Sequence, residues 1–144
     1  MEQILRNSYG EVYFAGCYLA TEHVVRNAWT GYQTHSGIIY AAETSLDLLA
    51  RHHCPFLLND NSLVTGTWNH AVEYCARDWA PRAAAAGLTH FAHVLSPEER
   101  AAQSGINLLA CLQSYFEVAA FTGPAEAQAW LRERREQSTI RAVA

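Results

Sequence analysis

The sequence predicts an α/β fold: a single domain with a mixed, mostly parallel sheet of about five strands, an N-terminal β-hairpin and about four covering helices, in the order ββαβαβαβα. Three observations lead there. Short runs rich in aromatic and β-branched residues alternate with longer runs whose apolar positions recur at helical spacing, which is how a parallel sheet with crossover helices reads. The first two short runs are separated only by Ala20, Thr21 and Glu22, a connection of hairpin length. Gly31, Pro55, Gly87 and Gly123-Pro124 fall between the runs as breakers.

Taken in order, residues 1–7 read as a short lead-in. Residues 11–20 and 23–29 have strand-type composition and form the hairpin. Ser36 is placed to cap a helix over residues 38–53, where Ile38, Ala42, Leu46 and Leu49 step by four, four and three. Pro55 stops that helix. Phe56, Leu57 and Leu58 then form a buried central strand that gives way to a polar loop over residues 59–67. A second helix follows over residues 68–86, with Trp68, Val72, Cys75 and Trp79 as its apolar stripe. Pro81 must kink or restart it, because proline has no N–H for the carbonyl of Arg77. Gly87 ends it.

Residues 90–95 form a short apolar strand. Ser96-Pro97-Glu98-Glu99 opens the third helix, with Ser96 as cap, Pro97 in the first helical position and Glu99 closing a capping box. Gly105 weakens the middle of this helix. Residues 115–121 are the last strand, and Gly123-Pro124-Ala125-Glu126 opens a fourth helix that turns Ala127, Trp130 and Leu131 inward. The domain spans residues 1–132, and residues 133–144 are a helical extension or a frayed tail.

Composition narrows the function classes. At 144 residues the chain can bury a core without disulfides or metals. A net charge of -4 gives no basic footprint for nucleic acid. All ten basic residues are arginine, which excludes a Schiff-base lysine and a P-loop lysine. The four cysteines are far apart and none forms a C-x-x-C pair, so they read as buried thiols. No apolar run reaches the roughly 18 residues that a membrane span needs. The first residues carry no charged-then-apolar signal pattern, so a cytoplasmic location is expected.

The candidate chemistry concentrates in the stretch after the central strand. Asp60 stands at the end of a buried strand, where a carboxylate would bind a ligand or take a proton; the alternative, preferred here, is that it closes its own turn. Ser62, Thr65 and Thr67 lie where a helix N-terminus would favour a phosphate, though such residues more often cap. Trp68 and Trp79 are eleven apart and share a helix face, suited to a core stripe or to the wall of a pocket. The seven histidines show no ligand spacing: His52 and His53 are adjacent on a helix, and His90 and His93 point to opposite faces of a strand. Cys54, beside His53, is a poor nucleophile candidate that reads as packed.

Several positions resemble a known family. Trp29 and Gly31 follow the hairpin, Asn59-Asp60-Asn61 closes the central strand, and Trp79-Ala80-Pro81-Arg82, Gly87-Leu88 and residues 91–95 continue the series, with Phe121, Glu126-Ala127 and Trp130-Leu131 at its end. With the order of elements, these resemble the SpoIIAA-like branch of the STAS superfamily, small bacterial STAS/SEC14-like domains. The resemblance implies an α/β binding or regulatory domain, not an enzyme. Phosphorylatable members carry Asp-Ser-Ser/Thr-Gly at the start of the second helix. This chain has Asn61-Ser62 and then Thr65-Gly66-Thr67-Trp68, so the resemblance carries no phospho-switch.

The expectation is therefore a non-enzymatic module that engages a protein partner or a small apolar ligand through Asp60, Ser62, Thr65 and Trp68, with no cofactor, no metal site and no nucleic acid. The aromatic content is compatible with a homodimer. The alternative is a small enzyme or metal protein using Asp60 with histidines brought together by folding. The two differ in an observable: an enzyme gathers titratable groups in one cleft, whereas a binding module shows an apolar cavity or patch.

Overall fold

Six strands form one sheet in sequence order. The computed structural model describes residues 1–143. Strand β1 (Gln3–Arg6) pairs antiparallel with β2 (Val12–Leu19), which pairs antiparallel with β3 (Val24–Gly31). The pairings of β3 with β4 (Phe56–Val64), of β4 with β5 (His90–Val94) and of β5 with β6 (Glu117–Phe121) are all parallel. The class expected from the sequence is the class observed, with two corrections to the strands. The lead-in is a sixth strand; only Leu5 packs inward from it, against Tyr13 and Phe14, too little apolar signal to read as a strand. The central strand runs to Val64 instead of ending at Leu58, because its asparagines are paired into the sheet's inner face instead of forming a loop.

Four helical segments connect and cover the strands. Helix α1 (His35–Arg51) is capped by Thr34, whose Oγ1 accepts the Gly37 N–H at 3.1 Å; Ser36, the expected cap, lies inside the first turn. Segment α2, residues 69–85, begins as a 3₁₀ turn, becomes α-helical, passes through a π-helical turn at Cys75–Trp79 and finishes as α-helix. The π turn bonds the Ala80 N–H to the Cys75 carbonyl. It lies just ahead of Pro81, so the loss of the proline donor is absorbed by a change of helical register and not by a break.

Helix α3 (Glu99–Leu112) starts two residues later than the capping-box motif suggests. Ser96 is engaged elsewhere: its hydroxyl donates to the Val64 carbonyl at 2.7 Å and accepts the Glu98 N–H at 3.0 Å. Glu98 takes the cap instead, its carboxylate accepting the N–H groups of Arg100, Ala101 and, across the loop, Gly66. Those backbone donors, Gly66 first, hold its carboxyl below the usual range. Helix α4 (Pro124–Val143) continues through the stretch read as extension or tail, where Arg134 pairs with Glu117 and Arg135 donates to the Glu22 carbonyl. Ala144 lies outside the described residues.

The pleat sorts the two faces of the sheet. On β5, Phe91 and His93 face one way and His90, Ala92 and Val94 the other. The Phe91 ring meets Trp79 of α2 at 6.1 Å, and the His90 ring meets Trp130 of α4 at 5.8 Å. Segments α1, α2 and α3 therefore cover one face and α4 the other. The core is one large cluster with a small satellite of Tyr13, Phe14 and Ala41, and Trp29 packs against both; Leu49, Leu57 and Leu112 of the large cluster are fully buried, each contributing about 1.5–3 kcal/mol by removal from water. Among the described residues no helix is long and apolar enough to cross a membrane.

Helix α3 comes nearest the sheet at Gly105. A Cβ built there would lie 2.7 Å from His93 Nε2 and 3.2 Å from a methyl of Leu95. Gly105 is therefore a spacing residue, although glycine costs about 1 kcal/mol against alanine in a helix. Gly105→Ala should lower stability by about 1–3 kcal/mol despite its better helix propensity. Urea unfolding measures this, and a stabilised variant would mean the approach is not close.

Candidate functional site

Polar residues occupy the inner face of the sheet where apolar ones are the rule. Asn27 of β3 is in register with Asn59 of β4, and Asn59 with His93 of β5. All three are buried, as are Asn61 and Ser45. Burial of so many amides is stable only when they bond to one another. Asn59 is the hub: its Oδ1 accepts the Trp29 indole N–H at 2.8 Å, and its Nδ2 lies 3.3 Å from Asn61 Oδ1 and 3.2 Å from His93 Nδ1.

These contacts fix two assignments. The indole of Trp29 only donates, so the Asn59 oxygen must face it and the Asn59 amino group must face His93. His93 Nδ1 is then an acceptor and its proton sits on Nε2. Full burial holds the imidazole neutral, with its pKa lowered to about 4 despite the opposing influence of Asp60. His93 Nε2 has no protein partner. Asn27 completes the row, its Nδ2 donating to Ser45 Oγ of α1 at 2.7 Å. Gly16 leaves room for this amide: a Cβ there would come within 3.1 Å of Asn27 Oδ1.

Above this row is a partly open cavity of about 60 Å³ between the sheet, α1, α2 and α3. Its floor includes Asn27, Trp29, Asn59, Asn61 and Phe91; its walls include Ile38, Ala42, Trp68, Cys75, Trp79 and Leu108. The volume exceeds the roughly 10–15 Å³ that one water needs and is below the roughly 150 Å³ of a cavity that accepts benzene. Three lining side chains present buried polar atoms with no protein partner: Asn27 Oδ1, Gln33 Oε1 and Trp68 Nε1. Gln33 uses its amino group on the carbonyls of Thr30 at 3.0 Å and Gly31 at 3.2 Å, which leaves the oxygen as the free atom. The other two indoles are satisfied, Trp29 by Asn59 and Trp79 by the Ala42 carbonyl at 3.0 Å.

The structure separates the four residues expected to act together. Trp68 lines the cavity, and its backbone N–H is held by Ser104 Oγ of α3 at 3.0 Å. Asp60 points to the opposite face of β4, where Oδ1 accepts the Ser62 N–H at 3.0 Å and the Ser62 hydroxyl at 2.7 Å, and Arg26 stands 3.6 Å away. This is the local turn-closing role, set at the point where the β3–β4 register shifts. Ser62 is occupied with Asp60. Thr65 is exposed at the strand end, its N–H bonded to the Gly31 carbonyl. Thr67 accepts the Asn69 N–H in a local turn ahead of α2, whose cap position is Trp68 and carries no side-chain cap bond.

The other chemistry read from the sequence is dispersed. His23 bonds Tyr18 at 2.6 Å, His52 stacks on Tyr18, His90 is 3.0 Å from Glu117, and the His35 and His70 rings are 5.9 Å apart. Among the described residues no three His, Cys, Asp or Glu side chains converge as a metal set. Cys54 is buried and donates to the Phe56 carbonyl at 3.2 Å, and burial raises its thiol pKa. Burial pushes the Cys75 thiol up to about 12, so the one cysteine in the cavity wall is a neutral thiol.

Sequence reasoning missed Asn27, Gln33 and Ser45, and it noted Asn59, Asn61 and His93 without placing them in a buried network. One signal was available: Asn59 and Asn61 are two apart, as are Asn27 and Trp29, so each pair shares a strand face that an ordinary core would fill with apolar residues. No family model, curated protein or solved structure matches this chain.

Replacing the hub tests the network. Asn59→Leu strands the Trp29 indole, Asn61 Oδ1 and His93 Nδ1, and should cost roughly 2–5 kcal/mol in urea unfolding; a neutral variant would mean the amide is not paired. The neutral histidine makes stability depend on pH. His93 has a folded pKa of about 4 against an ordinary 6.5, so its share of stability is complete above pH 6.5 and is lost as pH falls toward 4, because only the unfolded chain takes the proton. The loss is on the order of 3 kcal/mol. His90, also shifted down by burial, adds in the same direction. Urea midpoints from about pH 7 to about pH 4.5 should fall, and His93→Gln should flatten most of that slope.

Proposed function

We propose that this chain is a non-enzymatic binding module that takes up a small uncharged molecule between its sheet and segments α1, α2 and α3. One observation carries the reading: three residues that line a single cavity, otherwise walled largely by aromatic and aliphatic side chains, each hold a buried polar atom without a protein partner. Ligand sites combine apolar walls with a few placed polar groups in this way.

The lining argues for binding over catalysis. It contains no carboxylate, arginine or histidine, and its one titratable group, Cys75, stays protonated at neutral pH. No side chain there has a pKa suited to moving protons near pH 7. A charged ligand would find no counter-charge, so an uncharged one is favoured. The SpoIIAA-like resemblance is part of this proposal and rests on the scattered positions that carry it, among them Trp29 and Asn59, which meet in the cavity floor.

Native mass spectrometry of protein purified from its own host should show a non-covalent adduct. Ala42→Leu, which fills the cavity, should abolish the adduct in a chain that is still folded by circular dichroism. Asp60→Asn, on the far face, should leave it intact. An adduct that survives Ala42→Leu, or a bare wild-type chain, would overturn the reading.

A further inference from the structure

The unpartnered polar atoms on the residues that line the cavity are of two kinds, and that difference specifies more than polarity. Gln33 Oε1 is an acceptor, because both hydrogens of its amino group are committed to the Thr30 and Gly31 carbonyls. Trp68 Nε1 is a donor and cannot be anything else. Asn27 Oδ1 is a second acceptor, since the amino group of that side chain donates to Ser45. Each residue is at most 5% exposed, so water outside the cavity does not reach these atoms freely. A matching group must therefore present an N–H or O–H donor and a carbonyl-type acceptor together. It must be uncharged and flat enough to lie among Trp29, Trp68, Trp79 and Phe91. At about 60 Å³, only a few non-hydrogen atoms of it fit.

We infer that the cavity recognises an uncharged carboxamide or urea-type group, either as a whole small molecule or as the head of a larger one, with Gln33 accepting its N–H and Trp68 donating to its carbonyl oxygen. This rests on the cavity reading above. A site that donates and accepts rejects analogues lacking the matching group, because its own buried atoms are then left unpaired.

Four flat, Y-shaped molecules of equal size separate the possibilities: acetamide carries donor and acceptor, acetone the acceptor alone, 2-methylpropene neither, and acetate a charge. Each is titrated against the 15N-labelled chain, following the indole N–H signals, with that of Trp68 assigned by its loss in Trp68→Phe. Gln33→Met should weaken acetamide on the order of ten-fold and leave acetone unchanged. Trp68→Phe should weaken acetamide and acetone and leave 2-methylpropene unchanged. Acetate should not bind. If both variants weaken every ligand equally, or 2-methylpropene binds where acetamide does not, the amide assignment falls and the apolar cavity stands. If no probe moves the Trp29, Trp68 or Trp79 signals, the cavity reading falls with it.

Discussion

Both polar atoms of the Asn59 side chain are engaged and both its N–H groups are spent, and much of the molecule's inner face follows from that. Its oxygen is taken by an indole on β3, and its amino group serves an amide further along β4 and an imidazole on β5. One carboxamide thus ties three adjacent parallel strands together above their backbone ladder. It sets the rotamer of Trp29 and the tautomer of His93. A polar core network stabilises only when every member is satisfied, and a partly satisfied one costs more than an apolar core. Here the hub is satisfied and the open positions fall on the residues around it, on Asn27 and His93 of the row and on Gln33 and Trp68 beside it.

The two faces of the sheet do different work. The face under α4 is apolar and ionic in the ordinary way: Ala127 and Leu131 are buried, while Trp130 lies under the Arg134 guanidinium at 5.4 Å. Arg134 also pairs with Glu117, and Glu117 with His90, along the edge of that face. The face under α1, α2 and α3 gives up apolar contact area for amides. Packing of Phe14, Leu49 and Leu112 around it supplies the stability that such a face does not.

How far the fold could be read from the sequence is clearest at residues 59–62. Asn-Asp-Asn-Ser is turn chemistry by composition, because each of these side chains can bond its own backbone. Tertiary pairing overrides that preference at Asn59 and Asn61 but not at Asp60, which does bond the Ser62 N–H. Had the strand been extended by its period of two, Asp60 would have fallen on the opposite face from Asn59 and Asn61 at once. The largely parallel character of the sheet, the hairpin and all four helical segments were legible from strand composition, connection length and helical periodicity, whereas the order of the strands in the sheet was not. The caps at Thr34 and Glu98 were not. Ser36 and Ser96 have equal claims by residue type, and only the bond from Ser96 to Val64, 32 residues away, decides the second case. Trp68 was legible as a wall residue; Gln33 was not, since nothing local marks which of its atoms is left over.

A π turn is an α-helix carrying one surplus residue in its ladder, with poorer hydrogen-bond geometry for it. In α2 that surplus lies between Cys75 and Trp79, and both ends of the turn face the cavity. Helical bonding alone gains nothing from the extra residue. Its effect is on phase: it resets which side chains the second half of the segment turns toward the sheet, so that Trp79 reaches both Phe91 and the Ala42 carbonyl. The roof of the cavity thus carries a counting irregularity in its backbone, and the two residues that bound it, Cys75 and Trp79, are both wall residues.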